Sequence, residues 1–222
     1  MSEPASTPKP RRQGLRLALA LGVLVSSAIW IIAGMESPKK DDGGWFGKSL
    51  EPLRTAYSFE LTDQNGQPFR LEDQRGSLVL LNFGFTCCPN ICPASLANLA
   101  AARRALPEAA RDRVRVVFVS VDERDDISDL KKYMPMFDEK FTGLTGTPEA
   151  IGNTARAYGA FYRKDPKGPQ NKEDYLIDHS TSTYLIDPKG NLRLVYKMEQ
   201  LANAEAMASD MLRVLGLPQR KD

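Results

Sequence analysis

Residues 78–106 read LVLLNFGFTCCPNICPASLANLAAARRAL, and the fold turns on how this stretch divides. Leu78 to Phe83 is a near-continuous apolar run, broken only by Asn82, the pattern of a strand covered on both faces. Ala94 to Leu106 is rich in good helix formers, and Pro93 suits a first helical turn, where a missing N–H costs nothing. Between them lies a loop holding Cys87, Cys88 and Cys92, the only cysteines in the chain. Strand, loop and helix in this order make one βα unit. Its loop leaves the C-terminal end of a buried strand, the edge of an open α/β sheet where sites form.

The alternation continues on both sides. Tyr57 to Leu61 reads as a strand followed by the turn Asp63–Gly66, and Val114 to Val121 as a second buried strand. Ile127 to Phe137 is expected to be helical, with Pro135 marking or kinking its end. Thr147-Pro148-Glu149 carries a capping hydroxyl, a proline and an acid in helix-start order, and that helix should reach Tyr158 and stop at Gly159. Lys164 to Asp174 is polar and turn-rich, a surface loop. Thr183–Ile186 and Leu192–Tyr196 read as strands around the turn Asp187–Gly190, and Ala204–Leu215 as a closing helix. The pattern predicts an α/β fold, a mixed sheet with helices on both faces.

The first fifty residues differ from the rest. Leu17 to Met35 is an uncharged run that would span roughly 28 Å as a helix, close to a bilayer core. Lys9, Arg11, Arg12 and Arg16 precede it, while its far flank mixes Glu36, Lys39, Lys40, Asp41 and Asp42. The positive-inside bias therefore places the N-terminus in the cytoplasm. A cleaved signal peptide is the rival reading, but the run is long for one and no good A-x-A site follows. The expected organisation is a cytoplasmic tail over 1–16, a transmembrane anchor over 17–35, a linker over 36–50 and a folded domain over 51–222. This makes the protein single-pass in a bacterial inner membrane, with its domain in the periplasm. A net charge of +2 without a long basic patch gives no electrostatic footprint for nucleic acid.

Cys88 and Cys92 stand four apart, each followed by a proline. On a helical turn this spacing puts two side chains on one face. It suits two sulfurs on one metal ion, permits a disulfide, and is equally compatible with two small buried side chains packed under the loop. A helix start lowers a thiol pKa, which favours the chemical readings. His179, the only histidine, lies in DYLIDHSTSTYLIDPKG just ahead of a strand and could reach the same sheet edge. Two thiolates with one imidazole suit copper, as Cu(I) or Cu(II), and zinc accepts the same atoms. Asp178 reads as a surface acid or a partner of His179. Asp122 reads as a tuner of the site or a cap for the turn after its strand.

Thr86-Cys87-Cys88-Pro89-Asn90-Ile91-Cys92-Pro93, Val119–Asp122, Gly143–Pro148, Asp174-Tyr175, Asp178-His179-Ser180 and Tyr184–Asp187 together resemble the Sco/SenC family, over about Tyr57 to Leu215. The resemblance implies a thioredoxin-like fold with an inserted β-hairpin and a membrane-tethered copper metallochaperone serving the binuclear copper centre of cytochrome c oxidase subunit II. It implies Cys88, Cys92 and His179 as metal ligands, and a redox-active Cys88/Cys92 pair that alternates between dithiol and disulfide. A thiol–disulfide reductase acting on the oxidase subunit is the alternative it carries. Other periplasmic copper chaperones and a thiol reductant of thioredoxin type are the further implied partners. The sequence departs from the family pattern in three places. Cys87 stands where His commonly precedes the first ligand cysteine, Asn90 stands for Asp, and the segment after Asp122 lacks the family's proline.

Overall fold

The computed structural model describes residues 43–165 and 175–219. The anchor expected over 17–35, and the tail before it, lie outside the described residues, among which no helix is long and apolar enough to cross a membrane. Most of the expected surface loop between Lys164 and Asp174 also lies outside them.

The centre of the sheet is the run that opened the sequence reading. Strand β4 (Leu78–Gly84) is buried at every position. It pairs in parallel with β5 (Val114–Ser120), which pairs in parallel with β6 (Thr142–Thr145). On its other side β4 pairs antiparallel with β9 (Thr183–Ile186), and β9 with β10 (Asn191–Tyr196). Short strands β2 (Glu60–Asp63) and β3 (Pro68–Arg70) extend one edge, and β1 (Lys48–Thr55) the other. The eight-stranded order is β1-β10-β9-β4-β5-β6-β2-β3. Helix α1 (Ile91–Ala105) crosses from β4 towards β5 and is followed by the single turn α2 (Glu108–Arg111). Helices α3 (Ile127–Tyr133) and α4 (Pro148–Ala157) flank β6 in sequence. The short α5 (Met198–Leu201) leads to α6 (Ala204–Val214), which packs on α1. This is the expected mixed α/β sheet. The expected hairpin is also present: β7 (Tyr162–Lys164) and β8 (Ile177–His179) form a separate two-stranded sheet.

Local chemistry explains most boundaries. The Thr147 hydroxyl accepts from the Ala150 N–H, and Gly159 ends α4 with φ 71°. The helix expected over 127–137 is shorter. It ends at Tyr133 and tightens into a 3-10 turn over Met134–Met136, because Pro135 has no N–H to continue the α ladder. Helix α1 begins at Ile91, so Pro93 falls within its first turn as expected. The strand expected at Tyr57–Leu61 is shifted to Glu60–Asp63.

The folded part also starts earlier than the expected linker boundary. Trp45 and Phe46 are buried, and β1 begins at Lys48. The anchor for this arm is Asp210 of α6, which accepts from the N–H groups of Phe46 and Gly47 and from the Tyr196 hydroxyl. Strand β1 carries no period-2 pattern because it is an edge strand, largely exposed, with a bulge and Pro52 in it. Replacing Asp210 by Ala leaves three buried donors without their acceptor. Urea denaturation should show a loss of roughly 3 kcal/mol or more, and the 45–47 arm should become sensitive to protease.

Candidate metal centre

The β4 strand delivers the cysteine loop at the C-terminal end of the parallel strands. The Val121 N–H donates to the Gly84 carbonyl and closes the ladder there. Phe85 turns inward and is buried, Cys87 is exposed, Cys88 is partly buried and Cys92 is buried in the first turn of α1. The Cys92 N–H, one of the donors a helix start leaves free, points at Cys88 Sγ at 3.4 Å. All three cysteines are free thiols.

His179 arrives from the far side of the sequence. It ends β8, opposite Tyr162, and the hairpin base is fixed by the Ser180 N–H to the Phe161 carbonyl and the Phe161 N–H to the Ser180 hydroxyl. Four residues later the chain enters β9 with Thr183 opposite Asn82 of β4. The imidazole Nδ1 lies 2.8 Å from the Ser180 carbonyl. A carbonyl only accepts, so Nδ1 carries the proton and Nε2 presents its lone pair to the sulfurs. Nε2 is 3.4 Å from Cys92 Sγ. The ring packs edge-on against Phe85, centroids 5.6 Å apart.

The ligand atoms of Cys88, Cys92 and His179 all lie within 4.8 Å of one another. Donors bound about 2.0–2.3 Å from one ion stand about 4 Å apart, so the set fits a soft metal ion with little movement. Cys87 does not belong to the group. Beside the site lies an open cleft of about 290 Å³, lined by Cys88, Pro89, Ile91, Leu176 and His179 among others.

The two sulfurs are electrostatically unlike. A hydrogen bond from Cys92, with help from His179 and the helix-start N–H groups, outweighs burial and takes the Cys88 thiol down to about 3. The same bond and its own burial push Cys92 far up. For His179, burial pulls the pKa down, but the Cys88 sulfur and the Ser180 carbonyl overcome it and raise it. The pair is thus driven apart, Cys88 towards the thiolate and Cys92 towards the thiol.

Two supporting residues, Asp125 and Arg124, carry no signal in the sequence. Asp125, buried, accepts from the Thr86 N–H at 2.8 Å, the Thr86 hydroxyl and the Ser120 hydroxyl at 2.6 Å, tying the start of the cysteine loop to the end of β5. It lies inside the run DERDD, whose charge masks two buried members, Asp122 and Asp125. Asp122 faces Arg124 at 2.6 Å and accepts from the Tyr175 hydroxyl at 3.1 Å, while the guanidinium stacks 3.7 Å over the Tyr175 ring. Burial pushes the Asp122 carboxyl up, and Arg124 more than offsets it, so the carboxyl stays below its ordinary range. Asp122 is thus a tie between the end of β5 and Tyr175, at the loop end of the hairpin leading into β8. Asp178 pairs with Arg163 at 3.0 Å in a largely solvated ion pair, as a surface acid does.

Gly84 is required by close approach. A Cβ there would lie 2.6 Å from Cys92 Sγ and 2.7 Å from Phe118 Cε2. Gly84→Ala should displace the Cys92 sulfur and lower affinity for a thiophilic ion at least tenfold, read by metal titration, with a melting temperature several degrees lower.

The chain matches the SCO1/SenC family model over residues 47–216. An SCO2-like protein of Rickettsia prowazekii is 35% identical over 175 residues, covering 78% of this chain and 83% of that one. Among solved structures, apo Sco1 from Thermus thermophilus is 35% identical with a TM-score of 0.70, covering 77% of this chain and 96% of that chain. Bradyrhizobium japonicum ScoI with copper bound is 32% identical with a TM-score of 0.64, covering 72% and 99%. BsSco, described as having a disulfide switch and as a member of the Sco family of cytochrome c oxidase assembly proteins, is 27% identical with a TM-score of 0.58, covering 75% and 96%.

Proposed function

Because the chain belongs to the SCO1/SenC family, we propose that it is a copper metallochaperone, holding copper on Cys88, Cys92 and His179 for the binuclear centre of cytochrome c oxidase subunit II. The observation that carries this reading is the convergence of two sulfurs and one imidazole nitrogen within 4.8 Å at a sheet edge beside an open cleft. The donor chemistry supports it. Thiolates favour Cu(I), and the imidazole keeps Cu(II) within reach. Copper is the cargo, and the protein's part is to hold it and give it up. Cys88, partly exposed at the cleft, is the sulfur an incoming or receiving ligand meets first; His179, partly buried, lines the cleft beside it, and Cys92 lies buried behind them. The same reading takes residues 17–35 as an inner-membrane anchor that keeps the domain in the periplasm. There the oxidase subunit, other copper chaperones and a thioredoxin-type reductant are its partners.

Copper added to the reduced soluble domain should give an intense thiolate-to-copper absorption at one equivalent. Cys88→Ser, Cys92→Ser and His179→Ala should each abolish the band or weaken binding by at least tenfold. Wild-type protein without the band would remove the copper assignment.

The asymmetry of the two thiols favours a second reading, a thiol–disulfide reductase. The Cys88 thiolate attacks a substrate disulfide and forms a mixed disulfide, releasing one substrate thiolate. Cys92, giving up its proton, then attacks Cys88 Sγ, forms the internal disulfide and frees the second substrate thiol. The thioredoxin-type donor restores the dithiol. With a disulfide-bonded peptide as substrate, Cys92→Ser should accumulate the mixed disulfide, detectable by mass, and Cys88→Ser should not. A pair that reduces no disulfide in either form would rule this reading out.

A further inference from the structure

Strand β8 is paired on one side only. Among the described residues its partner is β7, with Tyr162 opposite His179 and Lys164 opposite Ile177. The Asp165 N–H donates to the Leu176 carbonyl and the Ser180 N–H to the Phe161 carbonyl. Bonded and non-bonded positions alternate along an antiparallel pair, so the even-numbered residues of this strand turn their backbone groups to β7. The N–H and C=O groups of Ile177 and His179 point to the opposite edge, and no hydrogen bond among the described residues uses them. That open edge borders the cleft beside the metal centre. Residues 176–179 line the cleft together with Phe85, residues 88–91 and Asp165, and no residue of β7 does. Ile91 and Leu176 are exposed there despite being large and apolar. The lining holds two carboxylates, Asp165 and Asp178, and no Lys or Arg. A solvated ion pair is worth little, so the link of Asp178 to Arg163 yields readily to a competing cation.

We propose that the open edge of β8 is a docking site for an extended segment of a partner protein, which adds to it as a strand, carries a Lys or Arg flank and presents a cysteine to the site. A strand edge with free N–H and C=O groups is a template for another strand. Alternate residues of an extended chain lie roughly 7 Å apart, the repeat at which Ile177 and His179 offer their outward groups. Residues opposite each other on paired strands share a face. The residue that docks opposite His179 therefore turns its side chain to the face of the imidazole, where the two sulfurs lie within 4.8 Å. The apolar side chains of Ile91 and Leu176 cover its neighbours, and the two carboxylates attract its cationic flank. This inference rests on the reading above in one respect, that a partner's ligand meets Cys88 from the cleft.

The test titrates the reduced, metal-free full chain with the peptide Lys-Val-Thr-Cys-Thr-Val-Lys and follows backbone amides by NMR. The amide protons of Ile177 and His179 should move downfield and exchange more slowly with solvent, while that of Asp178, which faces β7, should not. N-methylating the peptide amides one at a time should weaken binding about tenfold at alternate positions and leave the positions between unchanged, because paired strands bond at every second residue. Replacing both peptide lysines by glutamates should weaken binding as well. Unmoved Ile177 and His179 amides, N-methyl effects without alternation, or a glutamate peptide that binds as tightly as the lysine one each overturn the proposal. A chain that takes up copper but pairs with no peptide loses the docking edge and keeps the metal reading. A chain that pairs with the peptide but refuses copper keeps the docking edge and loses the metal reading.

Discussion

The antiparallel pairing of β9 with β4 is the constraint on which the site depends. Asn82, buried in an otherwise apolar strand, donates to the Thr183 hydroxyl at 3.0 Å. A buried amide of this kind is costly unless satisfied, so the pair penalises any slip in register. With Thr183 opposite Asn82, the segment entering β9 must lie beside the end of β4. The cysteine loop leaves β4 two residues after Asn82. A histidine 87 residues from Cys92 is thereby brought within 3.4 Å of it.

Around that pairing, polar ties hold loops that the core alone would leave loose. Asp125 holds the entry of the cysteine loop through Thr86, and the knot of Asp122, Arg124 and Tyr175 fastens the loop end of the hairpin. Asp122, Asp125 and Tyr175 are buried and hydrogen-bonded to their partners, the condition under which polar networks rigidify a site. The space they enclose is set by an omission: Gly84 leaves room for a sulfur against the sheet. A dithiol needs such support if it is to grip an ion reversibly, because two sulfurs free to move would close to a disulfide under oxidising conditions.

Much of this was legible from residue order. Strands β4, β5, β9 and β10 were readable because each buries a continuous or alternating apolar run, and α4 because Thr147, Pro148 and Gly159 mark its ends chemically. The cysteine pair and His179 were readable because their residue types and spacing are rare. Strands β1, β3 and β6 were not. They are short or lie near a sheet edge, where the sequence need not alternate, and Pro52 and Pro68 occur in two of them. The hairpin was expected only by resemblance, since YRK and IDH carry no strand signal of their own.

Sequence alone determined which atoms are available: two thiols four residues apart at a helix start, one imidazole, and apolar strands long enough to build a sheet between them. Those are local properties, fixed by residue type and spacing. Only the tertiary structure decided that Cys87 stays in solvent, that Asp122 and Asp125 are the buried members of a charged run, and that Gly84 makes room for Cys92. Each depends on which surfaces meet across distant parts of the chain, and a one-residue change in register would reverse it while leaving every local pattern intact.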